Sequence, residues 1–174
     1  LEPALALLNR LQSASANAVE AFEYMPRHYI ERHMARMEDA VEPFEEAHDV
    51  NILLEIGISR EDDLQSDAEG MPSFTNKMLD ILQTELENGN ISDAVIAQSD
   101  TQRRVMWDRR ENAAEVTFDG TPAVDTDVAV PLDAVPKFLA EISPRVMAID
   151  PRCKEFYIAH LGDGNLHYTV FIPE

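Results

Sequence analysis

Residues 155–172 read EFYIAHLGDGNLHYTVFI, two apolar-rich runs on either side of Gly162-Asp163-Gly164-Asn165. Glycine, aspartate and asparagine are turn formers, so the spacing predicts a hairpin of strands Glu155–Leu161 and Leu166–Ile172. With 162–165 as the loop, Leu161 opposes Leu166 and His160 opposes His167. Period-two alternation then sets Ile158 and Thr169 on the histidine face and turns Leu161, Leu166, Tyr168 and Val170 toward the core. An antiparallel hairpin at this point argues against a purely parallel sheet.

Working outward, apolar and polar periods alternate between helix and strand. Leu5, Leu8 and Leu11 recur at helical spacing after Pro3, predicting a helix over 3–14. Residues 18–25 (AVEAFEYM) alternate as a strand, and Pro26 opens a helix to about Met37. Residues 38–49 are acid-rich, contain Pro43 and read as a solvated loop, followed by a buried strand at Asn51–Ser59 and a polar loop at Arg60–Pro72. Ser73 starts a helix striped by Phe74, Met78, Ile81, Leu82 and Leu86 and stopped by Gly89. Ile91–Ala97 reads as a strand, and Ser99-Asp100-Thr101-Gln102 has the spacing of a capping box for a helix to about Val116. After turn residues 119–122, Asp125–Val130 reads as a strand and Leu132–Ala148 as a helix that Pro144 should kink or end early. The first strand is followed by no glycine-rich phosphate loop, which disfavours a dinucleotide-binding sheet. The order predicts an α+β, ferredoxin-like sandwich, single or doubled, with a largely antiparallel sheet and helices on one face.

The 174-residue length suits one domain over 1–174, or one built from two similar halves. Fourteen basic and 33 acidic residues give a formal charge of −19. A surface this negative repels phosphate backbones and anionic lipid, so nucleic acid is not an expected partner. An anionic substrate would need a local cation to offset that field. One cysteine, Cys153, excludes an internal disulfide framework and points to a reducing, cytoplasmic setting. No apolar run approaches the ~20 residues of a membrane span. The chain starts at Leu1 and stops just after a strand-like run, the pattern expected of a piece of a longer protein.

Chemistry concentrates in HLGDGNLH, residues 160–167. Two imidazoles on one sheet face can hold a divalent metal, and His160 and His167 are the candidate ligands; a plain cross-strand pair is the alternative. Gly162 and Gly164 let the backbone take positive φ and let a flat ligand approach closely. Arg110, in Trp107-Asp108-Arg109-Arg110-Glu111, is the candidate carboxylate anchor, because a guanidinium fork binds carboxylate in bidentate fashion. One of Arg109 and Arg110 must point away from the other, and His28, His33 and His48 read as surface residues.

These motifs resemble the C-terminal domain of FAD-linked oxidases, the family of D-lactate dehydrogenases, D-2-hydroxyglutarate dehydrogenases and the glycolate oxidase D subunit. HLGDGNLH at 160–167 is similar to the family signature, NILLEIGIS at 51–59 to its LLELSG strand, WDRRE at 107–111 to its WxxRE, and DTDVAVPL at 125–132 to its KYDVSVPL. The resemblance implies a substrate, or cap, domain that covers the flavin of an FAD-binding domain in the same protein. It implies hydride transfer from a D-2-hydroxy acid to FAD, with an electron acceptor that the sequence does not name and with a homodimer as one open assembly. It further implies that His160 and His167 bind a Zn- or Mn-like ion, that Arg110 grips the substrate carboxylate and that Asn165 lies near the cofactor. The family's SxEHG segment, which completes the metal site and supplies the catalytic base, is absent from these residues.

Three departures bear on the substrate. The family lysine is Asp125, a threonine one turn after the arginine is Ala114, and HLN becomes His167-Tyr168-Thr169. Thr169 shares the histidine face and is therefore a candidate substrate contact. The changes weaken an assignment to 2-hydroxyglutarate and leave another 2-hydroxy acid open. A non-catalytic ferredoxin-like binding module is the alternative function.

Overall fold

A computed structural model describes residues 1–58, 61–66, 70 and 72–173. The described residues form an α+β fold of six α-helices and a five-stranded antiparallel sheet, as the hairpin-centred reading expects. In chain order the elements are α1 (Glu2–Ala14), β1 (Val19–Pro26), α2 (Arg27–Arg36), β2 (Val50–Ile56), α3 (Ser73–Glu87), α4 (Asp100–Glu111), α5 (Ala113–Thr117), β3 (Ala123–Ala129), α6 (Val135–Ile149), β4 (Lys154–His160) and β5 (Asn165–Phe171). Part of the expected loop over 60–72, and the end of the expected strand at Ser59, lie outside the described residues.

Two compact units divide the chain, Leu1–Phe22 with Leu54–Ile96, and Glu23–Leu53 with Ala97–Glu174. In the first, α1 buries Leu7, Leu8 and Leu11 and α3 buries Phe74 and Met78, the stripes their helical periods dictate. Arg10 donates to the buried Glu85 at 2.5 Å and ties α1 to α3. Ile91–Ala97 forms no strand. The Asp93 side chain accepts the Ala94 N–H at 2.7 Å, a local bond that competes with a strand ladder.

The strands form one sheet in the order β2-β1-β4-β5-β3, with β3, β4 and β5 wholly in the second unit. β3 and β4 both run antiparallel to β5 between them, and α6 connects them, so this half is a split βαβ unit. The first half is different, because β1 and β2, joined by α2, are direct neighbours. Their ends pair in opposite senses, with the Gly57 N–H on the Ala18 carbonyl and the Arg27 N–H on the Asp49 carbonyl. The split unit therefore occurs once, and the pattern is not doubled.

Helices meet both faces of the sheet, not one. On the first, Met25, Phe156, Ile158 and Phe171 pack with Tyr29 and Ile30 of α2 and Val116 of α5, and Trp107 of α4 packs against this core. On the second, Phe138 of α6 meets the Tyr168 ring edge-on at 6.1 Å, and Ser143 donates to Glu155 at 2.6 Å. These anchors carry α6 through Pro144 to Ile149 instead of ending it early. Tertiary packing outweighs the rung that proline removes.

The hairpin register is displaced from the expected one by two residues. His160 opposes Asn165 and Ile158 opposes His167. The turn is Leu161–Gly164, with Gly164 at a φ of +77°. A Cβ on Gly164 would stand 2.2 Å from the Val130 carbonyl oxygen, so this glycine must close the turn. A two-residue shift preserves the face of every side chain, so both histidines still share one face.

Candidate functional site

The register aligns polar residues across four strands of the first face. Glu23 of β1, His160 of β4 and Asn165 of β5 stand in one row, and Ile158, His167 of β5 and Asp127 of β3 in the next. His160 and His167 are therefore diagonal neighbours, with ring centroids 5.1 Å apart and planes crossed at 73°. Each backs onto a carboxylate: His160 Nδ1 lies 2.7 Å from Glu23 Oε2, and His167 Nδ1 lies 2.6 Å from Asp127 Oδ1.

Arg110 reaches this row from α4. Ser99 caps that helix by accepting the Gln102 N–H at 3.3 Å, while the Gln102 side chain takes the Gln98 N–H at 2.6 Å. The predicted capping box thus forms with its return bond one residue early. Arg110 is only 6% exposed, donates through Nε to Glu23 Oε2 at 2.7 Å, and sets Nη2 2.9 Å from His160 Nε2. Glu23 is 5% exposed, so a full ion pair is buried here. Such a pair is costly to desolvate and strongly destabilising to break, which locks the three side chains together.

The donor chemistry fits a metal in part. A metal-bound imidazole ordinarily gives its other N–H to a carboxylate, and both histidines have such a carboxylate at Nδ1. Nε2 of His167 is then the atom left for a ligand, whereas Nε2 of His160 meets Arg110 Nη2 at 2.9 Å. Among the described residues no group of three or more His, Cys, Asp or Glu side chains is arranged to hold a metal ion. The arrangement offers His167 Nε2 and, only if Arg110 releases it, His160 Nε2, with no closed cage.

The other predicted residues sort as follows. Thr169 lies on the histidine face, as expected, but it is buried and donates to Asp125 Oδ1 at 2.5 Å, its partner in register. Asn165 stands in the His160 row, and its backbone N–H is held by Asp163 Oδ1 at 3.0 Å. Gly162 and Gly164 lie in the turn beside it, where the Gly164 carbonyl accepts the Val130 N–H at 3.1 Å.

Arg109 diverges from Arg110, as adjacent helical positions require. Its backbone carbonyl accepts from the Tyr29 hydroxyl at 2.7 Å, and burial pulls its guanidinium below the ordinary pKa.

Two histidines read as surface residues are not. His33 is 6% exposed, and burial followed by the charge of Arg109 lowers its pKa. His28 packs its ring on Phe156 at 5.1 Å and Tyr157 at 4.9 Å, and burial lowers its pKa too. Spacing along α2 cannot reveal this, because the helix is embraced on more than one side.

The sequence pattern misses Glu23 and Asp127. The available signal is an acid at an inward strand position: Glu23 follows Ala21 and precedes Met25 on one face of β1.

An α+β domain that concentrates histidines, carboxylates and a buried arginine on one sheet face is the class that fold and site define. Residues 1–174 match the family model described as FAD linked oxidases, C-terminal domain, and the chain belongs to that family. It is 33% identical to a D-2-hydroxyglutarate dehydrogenase of Xanthomonas citri pv. viticola over 156 residues, which cover 90% of this chain and 30% of the relative. A D-2-hydroxyglutarate dehydrogenase of Stutzerimonas stutzeri is 35% identical over 89 residues, 51% of this chain and 19% of the relative. A mitochondrial D-lactate dehydrogenase (cytochrome) of Arabidopsis thaliana is 29% identical over 104 residues, 58% of this chain and 18% of the relative. The matched part is less than a third of the length of each of these relatives. Among the described residues no helix is long and apolar enough to cross a membrane.

Proposed function

We propose that this chain is the substrate-binding part of a flavin-dependent dehydrogenase that oxidises a D-2-hydroxy acid to the 2-oxo acid. The observation that carries the reading is the contact of Arg110 Nη2 with His160 Nε2 at 2.9 Å. It sets a carboxylate donor beside an imidazole nitrogen, and a 2-hydroxy acid entering between them would exchange their mutual bond for its own carboxylate and hydroxyl. Membership of the FAD-linked oxidases and the names of the relatives support the same class.

FAD held by another domain of the same protein supplies the hydride acceptor, and a divalent ion such as Zn²⁺ or Mn²⁺ supplies charge that lowers the pKa of a bound hydroxyl. His167 would hold that ion through Nε2, with Asp127 at its Nδ1, and His160 would join it through Nε2 once Arg110 Nη2 turns from that nitrogen to the substrate. Glu23 takes Nε and His160 meets Nη2, so Arg110 would bind the substrate carboxylate through Nη1 and the remaining Nη2 N–H. Thr169 and Asp125, bonded to each other two residues along β5 and β3 from His167 and Asp127, border the far end of the substrate. Neither of those two is a cation, so they favour a substrate without a second carboxylate there. Gly162, Gly164 and Asn165 form the turn past which the flat ring of the flavin would lie. The single cysteine, Cys153, suits a reducing compartment such as the cytoplasm.

Paired kinetics test the arginine. In the protein that carries this chain together with its FAD-binding domain, Arg110→Lys should lower kcat/KM about tenfold or more, because lysine lacks the bidentate fork. Arg109→Lys, which keeps the charge away from the histidine face, should stay within about twofold. Equal small losses from the two variants would contradict the assignment of Arg110.

A further inference from the structure

Arg109 of α4 diverges from Arg110 and meets α2 and the segment that follows it. The Tyr29 hydroxyl of α2 donates to the Arg109 carbonyl at 2.7 Å, and Arg109 Nη2 donates to the Val41 carbonyl at 3.4 Å. The Tyr29 ring lies 6.4 Å from the ring of His33, one turn further along α2, so His33 and Arg109 border the same tyrosine. His33 is buried, and the charge of Arg109 acts on it. The charge of Glu42 reaches Arg109, but both oxygens of Glu42 are bonded to Arg27, at 2.6 and 3.0 Å. Arg109 Nε and His33 Nδ1 are buried nitrogens with no hydrogen-bond partner among the described residues.

We propose that Arg109 and His33 form a binding site for a monatomic inorganic anion, a halide such as chloride, held by Arg109 Nε–H and His33 Nδ1–H. The arginine Nε–H is a permanent donor, and Nδ1 donates both in the Nδ1–H tautomer of neutral imidazole and in the imidazolium. A buried guanidinium that no carboxylate bonds is costly until an anion offsets its charge. A halide accepts several N–H groups at once and brings the charge that Glu42 gives to Arg27. Water would satisfy the two donors and leave the guanidinium uncompensated. Phosphate or sulfate would bring four oxygens to two donors that are closed to solvent, so the place suits the smaller ion. The formal charge of −19 keeps anions off the general surface and leaves their binding to sites where a cation is held locally. The bound ion joins α2 to α4, and it uses none of the residues assigned to the hydroxy acid.

The test titrates the protein that carries this chain with sodium chloride, at an ionic strength held constant with sodium methanesulfonate, whose anion is too large for the site. The melting temperature should rise as chloride replaces methanesulfonate, by roughly 3 °C for each tenfold increase in chloride above the dissociation constant. Bromide should act in the same way. Equal melting temperatures in the two salts would overturn the proposal and leave water as the partner of the two nitrogens.

A second measurement assigns the ion to these side chains. The ³⁵Cl resonance of a chloride solution should broaden with added protein in a saturable way. Arg109→Gln should abolish the saturable part and His33→Phe should weaken it, while Arg104→Gln, at an exposed position of the same helix, should leave it unchanged. Equal broadening by the wild-type and Arg109→Gln proteins would place chloride elsewhere and overturn the proposal. If Arg109→Gln does not fold, the comparison of the two salts on the wild-type protein decides alone.

Discussion

Arg110 carries its charge to a place where it is bonded to Glu23 and His160, and each is held in turn by the arginine. The residue type and its place in a helix signal Arg110 in the sequence. Glu23 is not legible in that way, because its meaning depends on a strand register and on a helix 87 residues further along the chain. His33 shows the same limit, since a histidine at a polar-looking helical position is buried, with the Tyr29 ring of its own helix beside it and the charge of Arg109 acting from α4. Burial and the neighbouring Arg109 depress its pKa from the ordinary 6.5. The folded state therefore binds fewer protons than the unfolded one as pH falls below that value. The stability His33 contributes is complete above 6.5 and is lost as pH falls toward its folded value. The melting temperature should drop from about pH 7.5 to about pH 5, and His33→Phe should flatten that slope. His28, shifted in the same direction, leaves a residual slope in the variant. A slope that His33→Phe does not change would show that His33 does not titrate with unfolding.

The β4–β5 hairpin is the element on which the site depends, and most of it can be read directly. Both strands, their alternation and the sharing of a face by His160, His167 and Thr169 follow from period two. The register does not, because a four-residue turn can close at 161–164 or at 162–165, and only the demand for positive φ at Gly164 chooses. That choice makes the histidines diagonal instead of opposed. Gly164→Ala should cost about 1–3 kcal/mol in urea unfolding, since both the φ and the 2.2 Å approach to Val130 oppose a Cβ. A loss below a few tenths would mean that the turn relaxes freely and that its register is not pinned by this residue. Elsewhere, local signals fail where packing overrides them, as in α6 at Pro144, or where no neighbouring strand completes a ladder, as at 91–97.

Across the whole molecule, a formal charge of −19 surrounds one buried arginine on the histidine face. That field opposes any anion in bulk solution and makes the paired donors of the site the places where a carboxylate can settle. Composition and alternation are enough to give an α+β chain with an antiparallel sheet. Placing helices on both faces, and the single split βαβ unit, needs long-range pairings that no local window contains. The account's central claim is that this sheet face presents a D-2-hydroxy acid to a flavin. Anaerobic mixing of the protein that carries this chain, FAD bound, with D- and L-2-hydroxy acids tests it by the absorbance of the oxidised flavin near 450 nm. The account predicts bleaching by a D-2-hydroxy acid, little by its L enantiomer, and none in the His160→Ala protein. A flavin that no 2-hydroxy acid bleaches, or that bleaches equally in the His160→Ala protein, would contradict it.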